Sequence, residues 1–339
     1  MIDSQTSLAE SLSVALNVYR YHAYGLTISS DLAIPELLSW RGQHAIAEVS
    51  LIFAAPPDHF TTISDWLITT ASADRTPWLS WAKAGRGYLL RFHGLADFLV
   101  DSDGRRVSCI AAAPGVDAAT LRHLAIDHVL PRVLNLLGFE ALHATAVVIE
   151  DRVCAFVAEA GTGKSTLAAS FHLAGYPAYC DDCLVLCKTN PLSALPAYPG
   201  VRLWEASFQA LGGDAASLGV PVAQYTAKTR QLGGAEGFRA EPLPLACIYL
   251  LERDQPGTLR PSPQLQALKP RDALPALIAA TFPLDISDHA MLARHFRLLS
   301  RVAAELPMRR LSVPTDFAAL PTARSLVLAD CSTANAGME

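Results

Sequence analysis

Apolar and polar positions alternate, or gather in short β-branched runs, along the first third of the chain. Residues 19–28, 48–53, Gly87–Phe92 and 98–110 predict strands, the last run broken by the turn Asp101-Ser-Asp-Gly104. Trp40, Trp78, Trp81 and Tyr88 belong to this pattern and are read as packing residues. The pattern changes at Pro114-Gly115. Asp117 then stands as a helix N-cap, and Leu121, Leu124, Ile126, Val129, Val133, Leu134 and Leu137 recur at helical spacing until Gly138 stops them. Pro131, inside that run, predicts a kink or two shorter helices.

Two apolar runs follow, 144–149 and 153–158, separated by Glu150-Asp-Arg152, and predict adjacent strands joined by a tight turn. Residues 164–174 predict a helix ended by Gly175, and 178–186 one or two short strands around an acidic pair. The proline-rich stretch 191–199 and the glycine-rich stretch 212–237 read as mobile loops near a site. A strand over 245–251, helices over 273–280 and 287–305, and a closing strand over 311–313 complete the reading. The expected class is α/β, with a β-rich region over 1–115 and a nucleotide-binding domain over 116–339.

Composition narrows the choice of partners. A chain of 339 residues with 51% hydrophobic and 17% charged content can bury a large core, which excludes global disorder. Net charge is −5 and no run of five basic residues occurs, so nucleic acid and anionic membrane surfaces are not expected partners. No apolar run approaches the roughly 20 residues that span a bilayer, and the N-terminus has no basic region before an apolar run, so a cytoplasmic location is expected. Seven scattered cysteines fit reduced thiols better than a disulfide framework. Cys180, Cys183 and Cys187 lie close together, but their spacing matches apolar positions around a strand and no second Cys or His pair completes a zinc site.

The candidate chemistry is concentrated in Phe156-Val-Ala-Glu-Ala-Gly-Thr-Gly-Lys-Ser-Thr166. A strand leads into a tight loop and a helix leaves it, the arrangement of a phosphate-binding loop. Ala160, Gly161, Thr162, Gly163, Lys164, Ser165 and Thr166 are the expected ATP contacts. The glycines open backbone geometries that let N–H groups face phosphate, and the helix adds the positive end of its dipole. Lys164 is placed to reach the β- and γ-phosphates, and the Ser165 hydroxyl to join a Mg²⁺ shell. One position departs from G-x-x-x-x-G-K-[ST]: Ala158 stands where the first glycine is usual, which is strained only if the backbone there needs positive φ. Asp181-Asp182 is the second feature, since adjacent carboxylates among apolar residues need a metal or a proton to compensate them. Mg²⁺ can compensate one, and the other can accept a proton from an attacking hydroxyl. His143, just before the strand toward the loop, is the third candidate.

Taken together, these residues resemble the HPr serine kinase/phosphorylase family, whose core is similar to phosphoenolpyruvate carboxykinase. A histidine before the loop and an Asp-Asp pair after its helix stand here as His143, Asp181 and Asp182. The resemblance implies that Lys164 and Ser165 hold phosphate and Mg²⁺, that Asp181 is the general base, that Asp182 is a metal-side carboxylate, and that His143 tunes the base. A closer resemblance is to kinase homologues associated with lasso-peptide biosynthesis, carried by Tyr24-Gly-Leu-Thr27, Leu130-Pro-Arg-Val-Leu134, Leu142-His-Ala-Thr-Ala146, Tyr198-Pro-Gly-Val-Arg-Leu-Trp204 and Arg294-His-Phe-Arg-Leu298. It implies phosphorylation of a serine hydroxyl at the C-terminal end of a precursor peptide. The HPr kinase signature rich in Glu, Arg and Gly is replaced by Val201-Arg-Leu-Trp-Glu205, so phosphorylase activity and HPr as acceptor are not carried over.

The expected activity is therefore an ATP- and Mg²⁺-dependent serine kinase acting on a peptide or protein. A small-metabolite kinase or nucleotidyltransferase, and a non-catalytic nucleotide-binding module, are the alternatives. A phosphate loop reads only nucleotide and does not separate them. A homo-oligomer is compatible with the sequence, which fixes no oligomeric state.

Overall fold

A computed structural model describes residues 18–39, 46–54, 63, 65–72, 75–231, 237–253 and 262–336. Trp40 lies outside them. The first region forms nine strands: β1 (Tyr19–Ala23), β2 (Leu26–Ser30), β3 (Leu38–Ser39), β4 (Val49–Ile52), β5 (Ile68–Ala71), β6 (Pro77–Ala84), β7 (Gly87–Phe92), β8 (Ala96–Val100) and β9 (Arg106–Ala111). They pair in the order β3-β1-β2-β4-β9-β8-β7-β6-β5. The run 19–28 is a hairpin and not one strand, because Tyr24 and Gly25 both take positive φ and turn the chain.

The apolar helical run after Asp117 divides as Pro131 predicts. The Asp117 side chain accepts from Thr120 N and caps α1 (Ala118–Leu124), a π turn covers Ala125–Val129, and α2 (Leu130–Leu136) opens with Pro131 in its first turn. A proline has no N–H and crowds the carbonyl four residues back, so the helix widens there instead of continuing.

The second region builds a mixed sheet from β10 (Glu140–Leu142), β11 (Ala144–Ile149), β12 (Arg152–Val157), β13 (Ala178–Cys180), β14 (Leu184–Cys187) and β15 (Ser193–Leu195), with α3 (Lys164–Leu173) between β12 and β13. The turn between β11 and β12 holds Glu150 and Asp151 at φ 50° and 55°, the two-residue geometry whose twist suits a hairpin. Beyond it come β16 (Val201–Leu203), α4 (Glu205–Ala210), β17 (Pro221–Ala223), β18 (Thr226–Gln231), β19 (Leu243–Arg253), β20 (Gln264–Ala267), α5 (Pro270–Ala279), α6 (His289–Glu305), β21 (Met308–Val313) and α7 (Leu320–Ala336). The sheet order is β10-β14-β15-β19-β12-β11-β13, with β21 pairing β19 and β20. β12, β19 and β21 run parallel and open their carboxyl ends on one side, where α/β folds gather ligands.

Three expectations are corrected here. The proline-rich stretch is not a mobile loop: Leu192, Ala194, Ala197 and Tyr198 are buried and β15 joins the sheet. The described part of the glycine-rich stretch contains β17 and β18, which pair with β16 in a small separate sheet. β21 is not the last element, since α7 packs its Ala323, Val327 and Cys331 on β12, β19 and α3.

One hydrophobic core runs through both regions, joining Trp81, Phe92 and Phe98 of the first sheet to Leu134, Leu184 and Leu298 of the second. Polar links cross the same boundary. Trp81 Nε1 donates to Leu284 O at 2.7 Å, Tyr88 OH to Asp285 Oδ2 at 3.0 Å, and Lys83 pairs with Asp285 at 2.9 Å. No helix among the described residues is long and apolar enough to cross a membrane.

Candidate functional site

The loop 158–163 leaves the carboxyl end of β12 and enters α3 with Gly163 at φ 106° and Gly161 at φ 80°. Both conformations are closed to ordinary side chains. A Cβ built on Gly163 would also stand 3.2 Å from the Arg253 guanidinium. Ala158 is absent from the residues with positive φ, so the alanine in place of the usual glycine is unstrained. Lys164 is buried and folds over the loop, its Nζ donating to Ala158 O at 2.7 Å and Glu159 O at 3.1 Å. Burial lowers its pKa, and Asp182 and then Asp181 oppose that shift without cancelling it.

The two carboxylates lie beside the loop in unlike surroundings. Asp181 is 3% exposed, and its Oδ1 accepts from Ser165 Oγ at 2.8 Å and Thr145 Oγ1 at 3.0 Å. Asp182 is left-handed at φ 67°, an uncommon backbone state for a non-glycine residue, and its side chain opens into the cavity. Its Oδ1 lies 3.7 Å from His143 Nε2. Partial burial pushes the Asp182 carboxyl up, but Arg202, His143 and Lys228 together outweigh it and the pKa falls to about 2. Burial keeps the His143 imidazole below its ordinary value despite the pull of Asp182.

The two carboxylates of the acidic pair meet different partners. Asp181, read as the base, touches the Ser165 hydroxyl, whereas Asp182, read as metal-side, faces open space beside His143. The reason is local: β13 ends at Cys180, so Asp181 still points into the sheet, and the left-handed turn at Asp182 directs the next side chain outward. The oxygen-only pair of Ser165 and Asp181 fits a hard dication. Among the described residues no three or more His, Cys, Asp or Glu side chains form a cluster that could hold a metal ion. The zinc alternative at Cys180, Cys183 and Cys187 has no such cluster either.

Sequence reasoning missed the hub of the site, Arg202. It is 3% exposed; its backbone N–H donates to Asp181 Oδ2 at 2.9 Å, its Nε to the same oxygen at 3.3 Å, and its Nη2 lies 3.1 Å from Asp182 Oδ2. Its Nη1 pairs with Asp127, which also accepts from Tyr198 OH and lies 2.5 Å from His123 Nδ1. Desolvation alone would lower the Arg202 pKa, but Asp127 and the other anions around it hold it well above the ordinary value. A charged residue in the middle of the strand Val201-Arg-Leu203, and an acid inside the apolar run Ile126-Asp-His-Val129, were the available signals.

These groups surround a cavity of about 250 Å³. Loop residues, Lys164, Asp182 and His143 line it, together with the rings of His123, His128, Tyr225 and Phe282, the last packed 5.9 Å from His143. Lys228 sits 5.9 Å over the Trp204 ring at the same cavity, whereas Arg230 is spent on Pro199 O and the Tyr198 ring. Glu205 does not line the cavity and accepts from Gln209 on the surface.

No protein-family model matches the chain, and no curated protein does. Among solved structures, the chain is similar to the HPr(Ser) kinase/phosphatase from Coxiella burnetii at 14% identity and a TM-score of 0.33, over 57% of this chain and 97% of that one.

Proposed function

We propose that the chain is an ATP- and Mg²⁺-dependent kinase that phosphorylates a hydroxyl, most specifically a serine of a peptide or protein. The observation that carries this reading is the pair of contacts around one loop: Ser165 on Asp181 at the start of α3, and Asp182 beside His143 facing the cavity. In-line phosphoryl transfer needs positioned phosphates and a carboxylate near the acceptor, and little covalent chemistry from the protein. Ala160, Gly161, Thr162, Gly163 and Thr166 supply the nest and helix start, and Lys164 the ammonium group. Ser165 and Asp181 would hold Mg²⁺, which when bound draws negative charge from the β- and γ-phosphates. Asp182 then takes the base position and accepts the hydroxyl proton. With a pKa near 2 it is a weak base, so its main effect is to orient the hydroxyl while the proton moves late. His143, kept neutral by burial, orients that carboxylate.

The serine-bearing acceptor, and within that class the C-terminal serine of a lasso-peptide precursor, is supported by the sequence resemblance through Tyr24-Gly-Leu-Thr27 and Tyr198-Pro-Gly-Val-Arg-Leu-Trp204. The test is incubation with Mg-ATP and such a peptide, followed by mass mapping of the product. Asp182→Asn should retain ATP binding and lose transfer by a factor of about 10² to 10⁴, while Asp181→Asn should weaken Mg-ATP binding. Transfer retained in Asp182→Asn protein, or an adduct of nucleotide in place of phosphate, would overturn the reading.

A further inference from the structure

The nine-stranded sheet is attached to the acidic pair by a line of hydrogen bonds and ion pairs, joined through the backbone at Ile126–Asp127, that starts at a strained residue. Tyr24, at the β1–β2 turn, is fully buried with φ 59°. A bulky residue is held in that conformation only where its surroundings over-determine it. Here three contacts do so. Its N–H donates to Pro196 O at 2.9 Å, its ring meets Tyr198 edge-on at 6.0 Å, and its hydroxyl donates to Ile126 O at 2.7 Å.

Ile126 O needs that donor for a reason written in the sequence. In the π turn the Leu130 N–H donates five residues back, to Ala125 O. The donor that would serve Ile126 O in the same pattern belongs to residue 131, which is proline and has none. A buried carbonyl left without a donor is costly, and the Tyr24 hydroxyl satisfies it. The next residue is Asp127, which the widened turn directs toward Tyr198 OH, His123 Nδ1 and Arg202 Nη1. Arg202 in turn binds Asp181 and Asp182.

Resting on the kinase reading above, we propose that Asp127 is a positioning residue that sets how strongly Arg202 competes with a divalent cation for the acidic pair, and that the N-terminal sheet holds it in place through Tyr24. Asp127 occupies one side of the guanidinium and neutralises its charge. Without that carboxylate the local charge rises by one, Arg202 closes on Asp181 and Asp182, and a dication is disfavoured at both. Neither Asp127 nor Tyr24 needs to touch nucleotide for this to hold.

The experiment is calorimetric titration of the full chain with ATP, with and without Mg²⁺, for the wild type, Asp127→Asn, Asp127→Glu and Tyr24→Phe, with thermal melts as a check on folding. Wild-type protein should bind ATP more tightly when Mg²⁺ is present. Asp127→Asn should keep the Mg-free affinity and lose about tenfold of the Mg-dependent gain, with Asp127→Glu recovering part of it. Tyr24→Phe, which removes only a hydroxyl, should move in the same direction by a smaller factor and remains informative if Asp127→Asn does not fold. Folded Asp127→Asn or Tyr24→Phe protein with the wild-type Mg²⁺ dependence would overturn the positioning role alone. Wild-type protein indifferent to Mg-ATP would overturn the kinase reading and this one together.

Discussion

His128 shows what a single side chain at the cavity does to stability. It is enclosed by the Phe92, Trp78 and His123 rings, and burial pushes its pKa down to about 3. The folded chain therefore keeps this imidazole neutral while the unfolded chain protonates it near pH 6.5. The unfolded state binds more protons across that window, so stability is full above pH 6.5 and falls as the pH drops toward 3. Asp182 acts lower down: its depressed pKa adds stability above the unfolded carboxyl value, lost only as pH falls from about 4 to about 2. His128→Gln should flatten the decline between pH 6.5 and 4 by up to about 1.4 kcal/mol per pH unit. Urea melts at several pH values read this directly, and an unchanged slope would show that His128 is not the residue responsible.

At the scale of an element, the strand–loop–helix unit of β12, the loop and α3 invites opposite substitutions at its two ends. Ala158 needs no positive φ, so Ala158→Gly should only enlarge the unfolded ensemble, costing about 0.4–1 kcal/mol with ATP affinity unchanged. Gly163→Ala meets both a forbidden φ and the Arg253 guanidinium, and should weaken ATP binding much more than it lowers the melting temperature. Equal effects at the two positions on nucleotide affinity, measured by the same titration, would contradict the loop geometry. This unit was also the most legible part of the chain, because glycine, lysine and the helix start are local signals. The division of the helix at Pro131 was legible for the same reason. Which of Asp181 and Asp182 meets Ser165 was not, since a left-handed turn at one aspartate decides it. Arg202 and Asp127 were hidden for another reason. Each lies far along the chain from the residue it serves, and a charge in an apolar strand or helix does not announce its partner. The proline-rich stretch misled because composition suggested a loop, while Leu192, Ala194 and Tyr198 supply enough apolar surface to pack.

The whole molecule carries a constraint that neither region shows alone. The core that contains Trp81, Phe92 and Phe98 is continuous with the one behind β11 and β12, and Trp81 fills it while donating to Leu284 O in the second region. Two regions that share one core lose it together, because exposing either face leaves the other without a partner. Trp81→Ala should therefore destabilise by about 3–5 kcal/mol, and the loss should be felt at the loop 158–163 as well as in the first sheet. Hydrogen exchange under mild urea tests this: amides of β6 to β8 and amides of β11 and β12 should open with one free energy, and Trp81→Ala should lower both by the same amount. If β11 and β12 kept wild-type protection while β6 to β8 opened, the sheet would be an independent unit. The line from Tyr24 to Asp127 could not then serve as a rigid support for the acidic pair, because its anchor would unfold without disturbing what it holds.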